Sequence, residues 1–239
     1  MKKIVIIGAT TGIGRSLAEL YAQKGYEMAI TGRRLNLLEE IKDKYPTSKI
    51  ITRQMDVADT ESSRKIMDEL VEVLGGIDIV LLNAGVGYPK ATYEQELSTV
   101  DINARGFLAL ANWSYEYFTT KGSGQFAGVS SVAGVRSSPY APEYHASKAF
   151  ISSYMEGLRM RSRKWNPNIS VTDIRPGYVD TPMTKSNKGM FWVATPDKAA
   201  SQIYDAINAR ESVVYITKRY VLLANLLRIL PEWLIAKAM

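Results

Sequence analysis

The sequence predicts an α/β protein built on a doubly wound parallel sheet of about seven strands, with helices on both faces. Two observations carry this. Short, near-continuous apolar runs alternate with longer amphipathic stretches along most of the chain, and that alternation suits parallel strands covered on both sides. A cluster of glycines also follows the first run directly, where such sheets turn from strand into helix and hold ligands.

The first strand is expected at Lys3–Ile7. Its apolar run is too short for a signal peptide and leads into glycines rather than a small-residue cleavage site. Further strands are expected at Glu27–Thr31, Lys49–Arg53, Ile77–Leu82, Gln125–Ser130, Asn168–Ile174 and Val213–Ile216. Between them, helical periodicity marks Gly12–Lys24, Leu35–Lys44, Thr60–Leu74, a longer segment near Glu94–Thr120, Pro142–Lys164 and Pro196–Ala209. In Tyr220–Met239 the residues Leu222, Leu226, Ile229, Leu230 and Trp233 form a stripe at helical spacing, widened by Val221, Leu223 and Leu227. So broad a face demands burial. The expected partners are the substrate pocket or a second subunit, and after them an anionic membrane surface met by Lys218, Arg219, Arg228 and Lys237. No repeat or linker divides the chain, so one domain is expected, with residues 1–216 carrying the fold and 217–239 forming its apolar helical extension.

Composition narrows the classes. The chain has 239 residues, 46% hydrophobic and 23% charged, which is ordinary for a globular protein and excludes disordered and fibrous ones. There is no cysteine and one histidine, His145, so thiolate chemistry, disulfides and a histidine metal cluster are excluded and no metal is expected. The net charge of +6 falls in the last third, including Arg159, Arg161, Arg163 and Lys164, yet no basic stripe interleaved with aromatics suggests nucleic acid. Tyr220–Leu230 is too short to span a bilayer. A cytoplasmic location is expected.

The turn Gly8-Ala9-Thr10-Thr11-Gly12-Ile13-Gly14 sits between the first strand and the first helix. Glycines there let the backbone approach a pyrophosphate, whose charge meets free N–H groups at the helix start. The same run would also suit a tight turn needing positive φ. The second strand ends at Thr31-Gly32-Arg33-Arg34, where an acid that binds the ribose of NAD is common. Guanidinium groups instead suit a 2′-phosphate, so Arg33, and after it Arg34, favour NADPH over NADH.

Tyr144 and Lys148 stand four apart in Tyr144-His145-Ala146-Ser147-Lys148, hence side by side on one helix face. An ammonium beside a phenol favours the phenolate and makes a usable acid or base. Asn83-Ala84-Gly85, Asn103, Ser130-Ser131 and Pro176-Gly177 each fall where the sheet presents its ligand edge.

With these motifs in order, the chain resembles the short, single-domain branch of the short-chain dehydrogenase/reductase superfamily, with a Rossmann-like fold, over about residues 3–216. The resemblance implies that Tyr144 is the general acid or base, Lys148 binds the nicotinamide ribose and lowers the Tyr144 pKa, Ser131 polarises the substrate carbonyl, and Asn103 holds a water of a proton relay. It implies cofactor contacts from Gly8, Thr10, Gly12, Ile13 and Gly14 at the pyrophosphate, Asp56 and Val57 at the adenine, Asn83, Ala84 and Gly85 alongside, and Pro176, Gly177, Val179 and Thr181 at the carboxamide. Three departures stand out. Ile7 replaces the threonine usual before the first glycine, the strand at Val213–Ile216 runs into Lys218-Arg219 and an apolar tail, and His145 beside the tyrosine is structural or substrate-lining at most. The second departure favours a dimer over the usual tetramer. Tyr178, Met183, Met190, Phe191 and Trp192 would line an apolar substrate chamber. The expectation is an NADPH-preferring reductase of a hydrophobic ketone or aldehyde, reversible toward the secondary alcohol. A non-catalytic NADP(H) sensor on the same fold is the alternative, and an epimerase or dehydratase of nucleotide sugars is disfavoured by the chain length.

Overall fold

Side-chain parity along the strands organises the molecule. In a computed structural model describing residues 2–185, 187 and 189–238, strand β1 (Lys3–Ile7) sends Ile4 and Ile6 into one core and Val5 and Ile7 into another. Both faces are covered, so the strand is apolar at every one of these positions. The other strands are β2 (Glu27–Gly32), β3 (Ile50–Gln54), β4 (Ile79–Leu82), β5 (Gly124–Val129), β6 (Ile169–Pro176) and β7 (Val213–Ile216). They form one parallel sheet in the order β3-β2-β1-β4-β5-β6-β7. The order reverses between β1 and β4, which opens a crevice at their carboxyl ends.

Helices α1 (Gly12–Gln23), α2 (Leu35–Lys44) and α7 (Pro196–Asn208) cover the first core. Helices α3 (Thr60–Leu74), α5 (Phe107–Lys121) and α6 (Pro142–Trp165) cover the second, and α4 (Tyr93–Val100) precedes α5. Every expected strand is present and its ends shift by two residues at most.

Two segments depart from the periodicity. The long helix expected near 94–120 is interrupted by a π-helical stretch, Asp101–Gly106. A π-turn re-aims the side chains it carries, and here it buries Asn103 completely. Gly106 passes so close to the Val57 carbonyl that a Cβ would stand 2.4 Å from its oxygen. The tail also breaks, into α8 (Tyr220–Ile229) and α9 (Glu232–Ala238), because Leu230 takes the extended conformation that a following proline favours. Of the partners expected for the 222/226/229/233 stripe, the chain's own body is not one. The inward face is Tyr220 and Ala224, whereas Leu222, Leu226, Ile229 and Trp233 are exposed. The helix is apolar nearly all round, so spacing alone does not select which face meets the body. Among the described residues no helix is long and apolar enough to cross a membrane, and no acidic, histidine or cysteine cluster could hold a metal.

Candidate active site

The crevice between β1 and β4 begins at the glycine turn. Gly8 (φ +88°) and Gly12 (φ +58°) occupy the left-handed region, which side chains disfavour. A Cβ on Gly14 would stand 2.1 Å from the Gly8 carbonyl oxygen, so α1 packs against the turn as only glycine allows. Asn83 at the end of β4 donates its amide to that same oxygen at 2.8 Å, and thus ties the two strand ends together. The turn is a backbone cradle at a helix N-terminus, and it fits the diphosphate of a dinucleotide.

Beside it, the Arg34 guanidinium donates to the hydroxyls of Thr10 (3.0 Å) and Thr11 (3.3 Å). Arg33 is exposed at the same rim, and both arginines line the cleft. Asp56 and Val57 line it after β3. The Asp56 carboxylate also accepts from the Ala58 N–H at 3.0 Å and so shapes its own turn. Thr10, Gly12, Ile13, Ala84, Gly85, Pro176, Gly177, Val179 and Thr181 are further walls of the cleft. Thr181 reaches over the glycine turn, its methyl 3.0 Å from where a Gly12 Cβ would be.

Ser131, Tyr144 and Lys148 line the same cleft. Ser131 caps a short 3-10 turn after β5, its Oγ accepting from the Ala133 N–H at 3.0 Å and donating to the Pro176 carbonyl at 3.3 Å. Its neighbour Ser130 points instead into the sheet, donating to Asp173 and to the Ile174 carbonyl. Tyr144 lies in the first turn of α6, packed against Gly87, where a Cβ would meet its ring at 2.8 Å. Lys148 is buried one turn further on, donating from Nζ to the Val129 carbonyl at 3.1 Å and lying 5.7 Å from the centre of the Tyr144 ring.

Two of the expected site residues, Gly14 and Asn103, are not among the walls of the cleft. Gly14 stands behind the cradle as its packing surface. Asn103 donates to the Val86 carbonyl (2.8 Å) and the Ser147 hydroxyl (3.1 Å) and accepts from the Val86 N–H (2.9 Å). Both its amide hydrogens are thereby used within the chain. Its side chain braces the Gly85-Val86 wall, close to where Lys148 Nζ approaches Gly85.

The electrostatics also differ from the simple pairing of ammonium with phenol. Burial pushes the Tyr144 phenol above its ordinary value, and it is the hydrogen bond with Ser131 that pulls it back. Burial lowers Lys148 to about 8, against the attraction of the Asp173 carboxylate. Asp173 is fully buried on β6, and Arg175 bonds it from both Nε and Nη2 at 2.7 Å and reaches the Tyr215 hydroxyl at 3.0 Å. Sequence reasoning overlooked this pair. Its signal was two charges in a strand that otherwise reads as buried. Tyr220 was overlooked as well: its ring covers Gly177, where a Cβ would stand 2.1 Å away, and its hydroxyl accepts from the Tyr178 N–H (3.1 Å) and donates to the Phe191 carbonyl (2.7 Å). Tyr220 thereby pins both ends of the segment over the cleft, through bonds that span 42 and 29 residues and that no local motif announces. His145 is held by the Arg136 carbonyl at 2.6 Å, a structural contact.

Comparison with known proteins places the chain among relatives of the same fold. The chain is 36% identical over 202 residues to the uncharacterized oxidoreductase Rv0945 of Mycobacterium tuberculosis, covering 80% of this chain and 79% of that one. Its fold is similar to an alcohol dehydrogenase of the archaeon Thermococcus sibiricus complexed with 5-hydroxy-NADP (TM-score 0.80, 24% identity, 90% and 95% of the two chains). It is similar also to a short chain dehydrogenase/reductase of Burkholderia phymatum in complex with NAD (TM-score 0.86, 19% identity, 94% and 92%). A profile of the short chain dehydrogenases matches residues 2–190, most of the chain and every strand up to β6. With that match over most of its length, the chain belongs to the short chain dehydrogenase family of oxidoreductases.

Proposed function

We propose that the protein is an NADPH-preferring reductase of hydrophobic ketones or aldehydes, acting on the corresponding secondary or primary alcohols in reverse. The observation that carries this reading is the convergence of Ser131, Tyr144 and Lys148 on the cleft that begins at the glycine cradle. A nicotinamide bound there supplies the hydride donor or acceptor. Tyr144 gives its phenolic proton to the substrate oxygen or takes it back. Ser131, on the same cleft wall, orients the substrate carbonyl and stabilises developing negative charge. Lys148 places a cation behind the phenol, retained at neutral pH because Asp173 opposes the effect of burial.

Arg33 and Arg34 at the rim favour a 2′-phosphate, since a guanidinium binds phosphate in two places. The segment above the cleft carries Tyr178, Phe191 and Trp192 in edge-on contact, with Met183 at the cleft wall, and this apolar cover favours a hydrophobic substrate. A homodimer is supported by the exposed Leu97, Leu108, Phe150 and Met160 of α4, α5 and α6. A cytoplasmic location completes the reading.

Tyr144→Phe tests it. Turnover across a panel of apolar ketones and aldehydes should fall by roughly 100- to 10,000-fold, while NADPH affinity, measured by fluorescence titration, stays unchanged. A variant with full activity removes Tyr144 from its role.

A further inference from the structure

The outer face of α8 and α9 inverts the usual pattern of a surface helix, in which the solvent side is polar. Opposite the buried Tyr220 and Ala224 stand Leu222 (71% exposed), Leu226 and Ile229 (79% exposed), followed by Trp233 (69% exposed) on α9. Around them the segment from 217 onward carries Lys218, Arg219, Arg228 and Lys237 against the single carboxylate of Glu232. The apolar surface continues at one end. Trp192 rests against the Tyr220 ring at 5.5 Å, the Arg219 guanidinium lies 5.6 Å from the Trp192 ring, and Phe191 and Val193 beside it are exposed. The start of α8 therefore adjoins the cover of the substrate cleft.

We infer that this face docks on an anionic lipid surface. Leucines, isoleucine and tryptophan with lysine and arginine at the edges are the composition of a helix lying in the interface, apolar side down, with cations among the headgroups. The excess of positive charge is the complement of such a surface. It is not self-complementary, because a second copy would bring the same four cations against each other. The face of α4, α5 and α6, where acids and bases are mixed, suits a second copy better. The inference stands independently of the reductase reading, because its readout is adsorption rather than turnover.

The test uses the full chain with two kinds of vesicle, pure phosphatidylcholine and phosphatidylcholine with about a third phosphatidylserine, in a flotation assay at low and high salt. Flotation with the anionic vesicles, weakened by salt, is expected. Leu222→Ser with Ile229→Ser should reduce it at least tenfold, and Arg228→Glu should reduce it by about fivefold or more, as expected for removal of one cation near the surface. All three positions are exposed, so circular dichroism should be unchanged. Met160→Ser on α6 is the control and should float like the wild type. Absence of flotation, flotation unaffected by the tail substitutions, or a dimer that the tail substitutions convert to monomer would each overturn the inference.

Discussion

The two ends of the cleft are built from different materials. The cradle end is backbone: Gly8, Gly12 and Gly14 lie within seven residues, and their role follows from conformation and close approach. The reactive end is side chain, assembled from β5, α6, β6 and α8, with its charges set by a buried acid and its cover held by a tail tyrosine. The difference teaches where each end is vulnerable. The first fails by a local clash, the second by loss of support from a distance.

Asp173→Asn strikes the support of the reactive end most directly. It leaves the mostly buried Arg175 without its counter-charge, and removing one partner of such a pair costs about 3–5 kcal/mol, to be read from denaturant unfolding. It also removes the attraction that opposes burial of Lys148. Lys148 is cationic below its folded value near 8, so any activity that needs the ammonium falls as pH rises through that value. In the variant this alkaline limb should move to lower pH. An unmoved limb would show that the two ends are equally self-contained.

At the cradle end, Arg33→Ala combined with Arg34→Ala should weaken NADPH binding by roughly 10- to 100-fold, the worth of charged hydrogen bonds to a phosphate, and leave NADH binding nearly unchanged. Fluorescence titration of both nucleotides checks this, and equal loss of both would show that the arginines serve the fold instead. The smallest effect is expected for Tyr220→Phe, which keeps the ring on Gly177 and loses the hydroxyl that spans Tyr178 and Phe191. Loss of about 1 kcal/mol of hydrogen bonding should raise KM several-fold with little change in kcat or in melting temperature. A fall in kcat alone would place Tyr220 outside the cover's control.

The same contrast explains what could be read from sequence. The strands were legible because two buried faces force apolar residues at successive positions, and the cradle was legible because its glycines are neighbours. Tyr144 and Lys148 share one helix face and were equally visible. Asn103 was visible as a motif, whereas its bracing of Val86 depends on a π-turn that periodicity does not encode. Asp173 and Tyr220 act through contacts between distant segments, and only folding brings those together. The tail was visible as apolar, but its outward face was not, because α8 offers the body two apolar sides.

The bond from Tyr220 to both ends of the cover has a consequence for transplanting specificity. An exchanged loop between Gly177 and Ala194 would arrive with its own composition, yet its closure depends on an anchor outside the exchanged piece. Gly177 and Tyr220 form a lock and key within one chain, since a Cβ at 177 would stand 2.1 Å from the ring. A graft that carries the loop alone would inherit a hinge without its latch.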